Sequence, residues 1–205
     1  MIKKNILITG ANGFIGKNLY HSLKASNDTE VYKFLREDTL TEISSHLKDI
    51  DILIHLAGEN RPKNIEDFEI NNSEFTRKLC KELSKTEKDV PMIMTSSTQA
   101  ENDSLYGKSK LNAENHIKAY CEEFNRSATI IRLPGVFGKW CKPNYNSVIA
   151  TFCHNIACNI PIEIHERKEK IDLVYIDDVI STIKNLIENK KDLEHDLSYC
   201  KIQPQ

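Results

Sequence analysis

The chain lacks several features that mark specialised classes of protein. Its 205 residues contain no apolar stretch close to the roughly 18 residues that a membrane span requires. Twenty-eight Lys and Arg residues and 30 Asp and Glu residues give a formal net charge of −2, so no strong positive field attracts nucleic acid or an anionic membrane. We expect a cytoplasmic protein with no membrane span and no nucleic-acid partner.

Cysteine is present, but not in a pattern that indicates disulfide bonds or a metal site. None of the 6 cysteines belongs to a C-x-x-C pair, which favours free thiols in a reducing compartment. Cys153, His154 and Cys158 could share one helix face as metal ligands, but no second ligand pair accompanies them. Packing is the favoured explanation for these residues, and we expect no metal.

Glycine is scarce, and its placement is the first positive signal. Of the 7 glycines, Gly10, Gly13 and Gly16 stand between an apolar run and a helical pattern. A strand that turns at once into a helix needs a residue with unusual backbone angles, then open backbone for a ligand, then a small residue where helix meets strand. The first helical turn attracts a pyrophosphate. A turn without ligand is the alternative, but the opening β-α-β pattern favours dinucleotide binding.

Apolar runs alternate with helical patterns along the chain. The strands are predicted near 4–9, 30–35, 51–56, 90–95 and 128–133. The helices are predicted near 13–25, 65–85, 104–124 and 176–189, with a weaker one after Asn144. Nearly continuous apolar strands indicate burial on both faces. We predict an α/β fold, a Rossmann-type doubly wound parallel sheet with a partial C-terminal substrate-binding lobe after about residue 134, and no clear element after Asn189.

The end of the second predicted strand bears on cofactor choice. In this fold an acidic residue there binds the ribose 2′-hydroxyl of NAD, whereas an arginine accommodates the 2′-phosphate of NADP. The run VYKFLRED places Arg36 at this point, with Glu37 and Asp38 directly after it. Since a guanidinium pairs well with phosphate, NADPH is favoured over NADH.

A tyrosine and a lysine four residues apart form the candidate chemical centre. Tyr106 and Lys110 stand on one face at the start of a predicted helix, so the ammonium can lie beside the phenol and lower its pKa. Ser97, with Ser96 and Thr98 as rivals, could hold a substrate oxygen. A chance Y-x-x-x-K pair with a solvated lysine is the alternative. The position of the Tyr106–Lys110 pair, after the fourth strand of a nucleotide-binding fold, favours acid/base catalysis.

These two motifs resemble the extended, nucleotide-sugar-modifying branch of the short-chain dehydrogenases/reductases, the NAD-dependent epimerase/dehydratase family. The resemblance implies that Tyr106 is the acid/base, that Lys110 supports it and contacts the nicotinamide ribose, and that Ser97 is the substrate hydroxyl. The implied cofactor-binding residues are Gly10, Asn12, Gly13, Phe14, Ile15, Gly16, Arg36, Leu56, Ala57, Gly58, Tyr106 and Lys110.

Three shorter matches accompany these motifs. HLAG at 55–58 resembles the strand end that lines the cofactor in this family, although His55 alone is typical of a packed strand residue. Asn72 resembles the asparagine that steadies the central helix and strand. YIDDV at 175–179 resembles a late V-x-D-D-V segment, whose aspartates we interpret as a helix N-cap and a first-turn acid.

The stretch that begins RLPGVFG resembles the sugar-nucleotide region of the branch. Gly135 stands where the branch usually has a substrate-contacting asparagine. More narrowly, FGKWCKPNYNSVIATFC and GENRP resemble the reductase domain of bacterial capsular polysaccharide enzymes. The implied substrate-binding residues are Ser97, Thr98, Gly135, Trp140, Lys142, Asn144, Tyr145 and Asn146. Simple packing of the lobe is the alternative for Trp140 and Tyr145.

The resemblance implies NADPH-dependent reduction of a 4-keto UDP-amino sugar. The expected reaction takes a UDP-2-acetamido-2,6-dideoxy-hexulose to its L-talose product, for capsular or O-antigen polysaccharide precursors. A 4-epimerase and an NADP(H)-binding domain without turnover are the alternatives, and neutral Thr98 and Gln99 argue against a dehydratase. The resemblance also implies a homodimer. The family continues into a metal-binding cupin domain, which we do not find in the single domain expected for residues 1–205.

Overall fold

A parallel sheet of six strands forms the centre of the molecule. The computed structural model describes residues 3–164 and 171–189, together with the backbone of 197–201. The strands are β1 (Lys4–Thr9), β2 (Thr29–Phe34), β3 (Ile52–His55), β4 (Met92–Ser97), β5 (Ala128–Leu133), β6 (Gly135–Phe137), β7 (Leu173–Tyr175) and β8 (Leu197–Lys201). The main sheet has the order β2-β1-β3-β4-β5-β8, and β6 pairs with β7 in a separate parallel ribbon.

Helices cover both faces of the main sheet. They are α1 (Phe14–Lys24), α2 (Leu40–His46), α3 (Glu66–Phe68), α4 (Phe75–Leu83), α5 (Leu105–Phe124), α6 (Val148–Ala157) and α7 (Ile176–Glu188). A π-helical segment at Glu69–Glu74 joins α3 to α4, and a 3₁₀ turn at Thr98–Glu101 follows β4.

Alternation along the strands divides the apolar residues between two cores. In β1, Ile6 and Ile8 pack with α1 and α7, whereas Leu7 packs on the opposite face with α4 and α5. Because successive strand side chains point to opposite faces, a strand covered on both sides is apolar throughout. All three side chains are fully buried, as this argument requires.

The five predicted strands and the Rossmann-type order are confirmed. Four elements were missed: α2, the paired strands β6 and β7, and β8, where we expected no clear element. The start of α2 carries a capping box of Thr39 and Glu42, which is a local signal that could have revealed it. By contrast, β8 is defined by parallel pairing with β5 from Ala128↔Leu197 onward, a tertiary contact that local sequence does not encode.

The start of α7 partly corrects the interpretation of YIDDV. Tyr175 is the N-cap residue and makes no side-chain cap hydrogen bond. Asp177 and Asp178 both lie in the first turn, where a carboxylate interacts favourably with the positive end of the helix dipole. The first-turn interpretation is therefore confirmed, and the N-cap interpretation is wrong.

Candidate active site

The glycine turn joins β1 to α1 with almost no space for side chains. Gly10 has φ +69°, and a Cβ there would lie 2.6 Å from the backbone nitrogen of Ala57 at the end of β3. A Cβ on Gly16 would collide with the carbonyl oxygen of Gly10, so this position sets how closely α1 packs on β1. With Gly13 as N-cap, α1 begins at Phe14, and the free N–H groups of its first turn can attract an anion at the sheet edge.

Two adjoining cavities open at this edge of the sheet. The first, of about 590 Å³, lies beside the end of β2, and the second, of about 640 Å³, extends toward α5 and the segment after β5. The residues that line both are Asn12, Gly13, Leu56, Gly58 and Glu59. Two cavities that meet at a helix N-terminus fit a dinucleotide, whose two halves are joined by a pyrophosphate.

Arg36 lies at the wall of the first cavity, as the NADPH hypothesis requires. Its side chain is 78% exposed and its Nη2 lies 3.4 Å from the Glu59 carboxylate. The neighbouring Asp38 accepts a 2.7 Å hydrogen bond from the backbone N–H of Leu35, so this carboxylate is engaged within its own turn. Glu37 also lines the cavity.

The proposed catalytic residues converge on the second cavity. Tyr106 is the second residue of α5, and its side chain lies close enough to Ser97, at the end of β4, for the serine hydroxyl to lower the pKa of the phenol. Lys110, one turn later, is buried and donates a 3.0 Å hydrogen bond from Nζ to the carbonyl oxygen of Thr95. Ser97, Tyr106 and Lys110 line the cavity together. A tyrosine hydroxyl with a serine and a buried lysine can hold a carbonyl oxygen and give it a proton.

The pKa of Tyr106 differs in direction from the sequence-based expectation. Burial raises the pKa of the phenol above its ordinary value, and the hydrogen bond with Ser97 opposes this shift. Burial also lowers the pKa of Lys110 to about 8, against the opposing effect of the Glu114 carboxylate. The predicted lowering of the Tyr106 pKa by Lys110 is therefore wrong for this structure, because desolvation dominates at the phenol.

The three rival hydroxyls at the end of β4 have different surroundings. Ser96 is buried and donates a hydrogen bond of 2.5 Å to the Glu114 carboxylate, on the other face of the strand from Ser97. Thr98 is exposed and begins the 3₁₀ turn. Ser97 accepts a 3.1 Å hydrogen bond from the backbone N–H of Gln99 and contacts Tyr106. This geometry favours Ser97 as the hydroxyl nearest the chemistry.

Asn72 and His55 form the polar support behind the site. Asn72 bridges the chain after β3 to α5: its side-chain oxygen accepts from the N–H of Glu59 at 2.7 Å, and its Nδ2 donates to Ser109 at 2.9 Å. His55 lies between Thr9 (2.7 Å) and Thr76 (2.9 Å). Burial lowers the pKa of His55 to about 3, so it is a neutral packing residue, as predicted.

The segment after β5 supplies most of the predicted substrate residues. Gly135, Trp140, Lys142, Tyr145 and Asn146 line the second cavity with Ser97 and Thr98. Trp140 also packs on α1, where Lys17 Nζ lies 4.8 Å from its ring centroid. Asn144 lies outside the lining of both cavities, and its backbone N–H donates a 2.9 Å hydrogen bond to Thr151.

Comparison with known proteins identifies the family. The profile described as the NAD dependent epimerase/dehydratase family matches residues 6–199. The chain belongs to this family. The family resemblance inferred from the glycine turn and the Y-x-x-x-K pair is thus confirmed.

Two curated epimerase/dehydratase relatives show how far the likeness extends. The chain is 45% identical over 185 residues to the UDP-2-acetamido-2,6-beta-L-arabino-hexul-4-ose reductase of Pseudomonas aeruginosa, which covers 90% of this chain and 50% of that protein. It is 26% identical over 212 residues to the CDP-abequose synthase of Salmonella muenchen, covering 91% of this chain and 71% of that protein. The chain thus spans about half the length of the reductase it matches at 45% identity.

Two solved structures share the fold of this chain. The capsular polysaccharide assembling protein CapF of Staphylococcus aureus superposes with a TM-score of 0.80 at 42% identity, over 90% of this chain and 50% of that chain. The UDP-glucuronic acid 4-epimerase of Bacillus cereus, in complex with NAD, superposes with a TM-score of 0.85 at 24% identity, over 98% of this chain and 78% of that chain. The predicted likeness to capsular polysaccharide reductases is confirmed.

Some site residues were not predicted from the sequence. Glu59 lines both cavities and contacts Arg36, while Gln99 and Asn60 line the second. The position of Glu59 directly after HLAG was a usable signal, since that segment ends a strand at the nucleotide edge.

Within the described residues, 3–164 and 171–189, no group of three or more His, Cys, Asp or Glu side chains could hold a metal ion. Across that same part of the chain, every helix is too short or too polar to cross a bilayer.

Proposed function

We propose that this protein reduces the C4 ketone of a UDP-linked 2-acetamido-2,6-dideoxy-hexulose with NADPH, giving the L-talose product for capsular or O-antigen polysaccharide. The observation that carries this proposal is the meeting of Ser97, Tyr106 and Lys110 in a cavity that adjoins the N-terminus of α1. The 45% identity to a reductase of that substrate class supports the choice of sugar. Because the chain spans half of that relative, the activity is a proposal for these residues.

In this mechanism the protein positions the ketone and delivers one proton. When bound, NADPH supplies the hydride that adds to the carbonyl carbon. Ser97 donates a hydrogen bond to the carbonyl oxygen, and Tyr106 gives that oxygen its proton as negative charge develops on it. The raised pKa of Tyr106 keeps the phenol protonated before reaction, which suits a proton donor. Lys110 then stabilises the phenolate with its buried ammonium group.

NADPH is proposed over NADH on the strength of Arg36. Its guanidinium lies at the wall of the first cavity, where the 2′-substituent of the adenosine ribose is expected in this fold. Asp38, the acid that would otherwise bind a 2′-hydroxyl, is engaged with the backbone of Leu35. The first cavity thus offers the charge that a 2′-phosphate requires.

The decisive experiment measures whether NADPH is consumed in proportion to product. The purified chain is incubated with NADPH and the UDP-linked 4-keto amino sugar, and absorbance and mass spectrometry follow cofactor and sugar. We expect one NADPH oxidised for each alcohol formed, and no oxidation with UDP-N-acetylglucosamine, which lacks the ketone. An isomerised sugar without cofactor loss would instead indicate a 4-epimerase, and nucleotide binding without turnover would indicate a binding domain.

A homodimer is proposed from the family resemblance. Helix α5 and the neighbouring π-helical segment carry exposed apolar side chains that a second copy could cover: Ile70 is 53% exposed, Leu105 54% and Leu111 37%. Sedimentation equilibrium should give twice the chain mass, and a monomer at all concentrations would contradict the proposal.

A further inference from the structure

The end of β4 contacts α5 at three consecutive residues. The pairs are Thr95 with Lys110, Ser96 with Glu114, and Ser97 with Tyr106. The first and third pairs contain the groups assigned to the proposed reaction. In the middle pair, the Ser96 side chain points to the opposite face of the strand from Ser97, although Ser96 also lines the second cavity, and the pair contains none of the groups assigned to the reaction.

Glu114 is a buried carboxylate with a complete set of partners. Its side chain is only 1% exposed, and Arg132 on β5 binds both of its oxygens, with Nε 3.0 Å from Oε1 and Nη2 2.6 Å from Oε2. The hydroxyl of Ser96 donates to the same Oε1. Arg132 also reaches the surface, where Nη1 lies 2.8 Å from the carboxylate of Glu101. A buried charge held by a bidentate arginine and a hydroxyl has a fixed position.

This fixed charge lies one helical turn after Lys110. Residues four apart on a helix are neighbours, so the carboxylate faces the buried lysine stem. Burial lowers the pKa of Lys110 to about 8, and the Glu114 charge raises it, which keeps the ammonium protonated to higher pH. Among the described residues, neutral His55 on β3 also interacts with Lys110, Tyr106 lines the same cavity, and Arg132 binds Glu114.

We propose that Glu114 is a positioning residue for the reduction: held by Ser96 and Arg132, it supplies a fixed negative charge one helical turn after Lys110 and, through Ser96, sets the place of the Ser97 hydroxyl. The inference rests on the proposed function, since Lys110 and Ser97 matter only if the ketone is bound between them. Arg132 compensates the carboxylate so that it remains stable in the core. The Ser96–Glu114–Arg132 set therefore connects β4, α5 and β5 directly behind the substrate cavity.

The pH dependence of kcat/KM tests the inference in the E114Q variant. Without the carboxylate charge, Lys110 should lose its proton at lower pH. The alkaline limb should therefore move to lower pH by about one unit, which is at the low end of the range of pKa shifts that one nearby charge causes. E114D, which keeps the charge, should restore the limb. The matched control is E101Q, which removes a second carboxylate that binds Arg132, at 64% exposure, and should leave the limb in place. An unchanged limb in E114Q would overturn the inference.

A second readout separates this inference from the proposed function. Lysine labelled with ¹³C at Cε reports the titration of Lys110 by NMR, assigned with the K110R variant, and needs no substrate. The Lys110 titration should move to lower pH in E114Q and stay in place in E101Q, even if the wild type shows no reductase activity. If E114Q does not fold, the E114Q/R132Q double variant removes both buried charges, and a smaller shift in the same direction is expected, because loss of the Arg132 charge partly offsets loss of the carboxylate. A Lys110 titration equal to that of the wild type would refute the role of Glu114.

Discussion

The chain up to β5 and the segment that follows it bury their apolar side chains to different extents. In residues 4–133, which we call the nucleotide-binding half, side chains such as Leu19, Leu79 and Ile117 are fully buried. In residues 134–164, the lobe segment, α6 buries none of its residues, and Ile156 is 64% exposed. The nucleotide-binding half therefore supplies most of the two cores, one of which it shares with α7, whereas the lobe segment forms one wall of the second cavity. We expect stability and proton chemistry to depend on the former, and sugar choice on the latter.

The strongest test of this division is Y106F, because the phenol belongs to the nucleotide-binding half. Removal of the hydroxyl should lower kcat by about 1,000-fold, within the range for a positioned acid, since no other group donates the proton. NADPH affinity, measured by calorimetry, should change little. If Y106F kept full turnover, the proton would have to come from elsewhere, and the lobe segment would be the first place to look.

Matched truncations compare the two regions in stability. L19A removes a fully buried side chain on α1 and should lower the free energy of unfolding by about 2 to 5 kcal/mol. I156A makes a similar truncation on α6 and should stay within about 0.5 kcal/mol, because that side chain is largely exposed. Urea unfolding at one pH measures both. Equal losses would show that the lobe segment is packed as tightly as the sheet.

His55, in the core of the nucleotide-binding half, makes the free energy of unfolding depend on pH. Burial lowers its pKa from the ordinary 6.5 to about 3, so below pH 6.5 the unfolded chain takes up a proton that the folded chain does not. Stability is therefore lost as pH falls through this window, by about 2 kcal/mol between pH 7 and pH 5. The wild type should show this extra loss relative to H55Q in urea titrations at the two pH values. Parallel curves would contradict it.

The smallest expected effect concerns nucleotide choice. R36A should weaken NADPH about tenfold relative to NADH, a modest factor because the guanidinium is mostly solvent-exposed. K142A, a cation of the lobe segment, is the matched control and should weaken the sugar nucleotide without changing the NADPH to NADH ratio. Dissociation constants from fluorescence titration measure both. Equal loss of the two cofactors in R36A would remove the 2′-phosphate argument.

Local patterns predicted the elements and most of the site. The glycine turn was predictable because its three positions depend on backbone angles and close contacts within a few residues, and Gly10 and Gly16 show both. Tyr106 and Lys110 were predictable because both stand on one helix. The direction of the Tyr106 pKa was not, because it depends on burial by other elements. Glu59 and Glu114 were missed because their partners are distant in sequence: Glu59 pairs with Arg36, and Glu114 pairs with Arg132.

The amino-acid sequence alone therefore determined the alternation of strands and helices, the dinucleotide turn and the tyrosine–lysine pair. These depend on periodicity and on spacings of a few residues, which are properties of the chain before it folds. Only the tertiary structure decided that Ser97 rather than Ser96 faces Tyr106, and that Glu114 stands behind Lys110. Those outcomes depend on which strand face packs against α5, and long-range packing of the sheet sets that orientation.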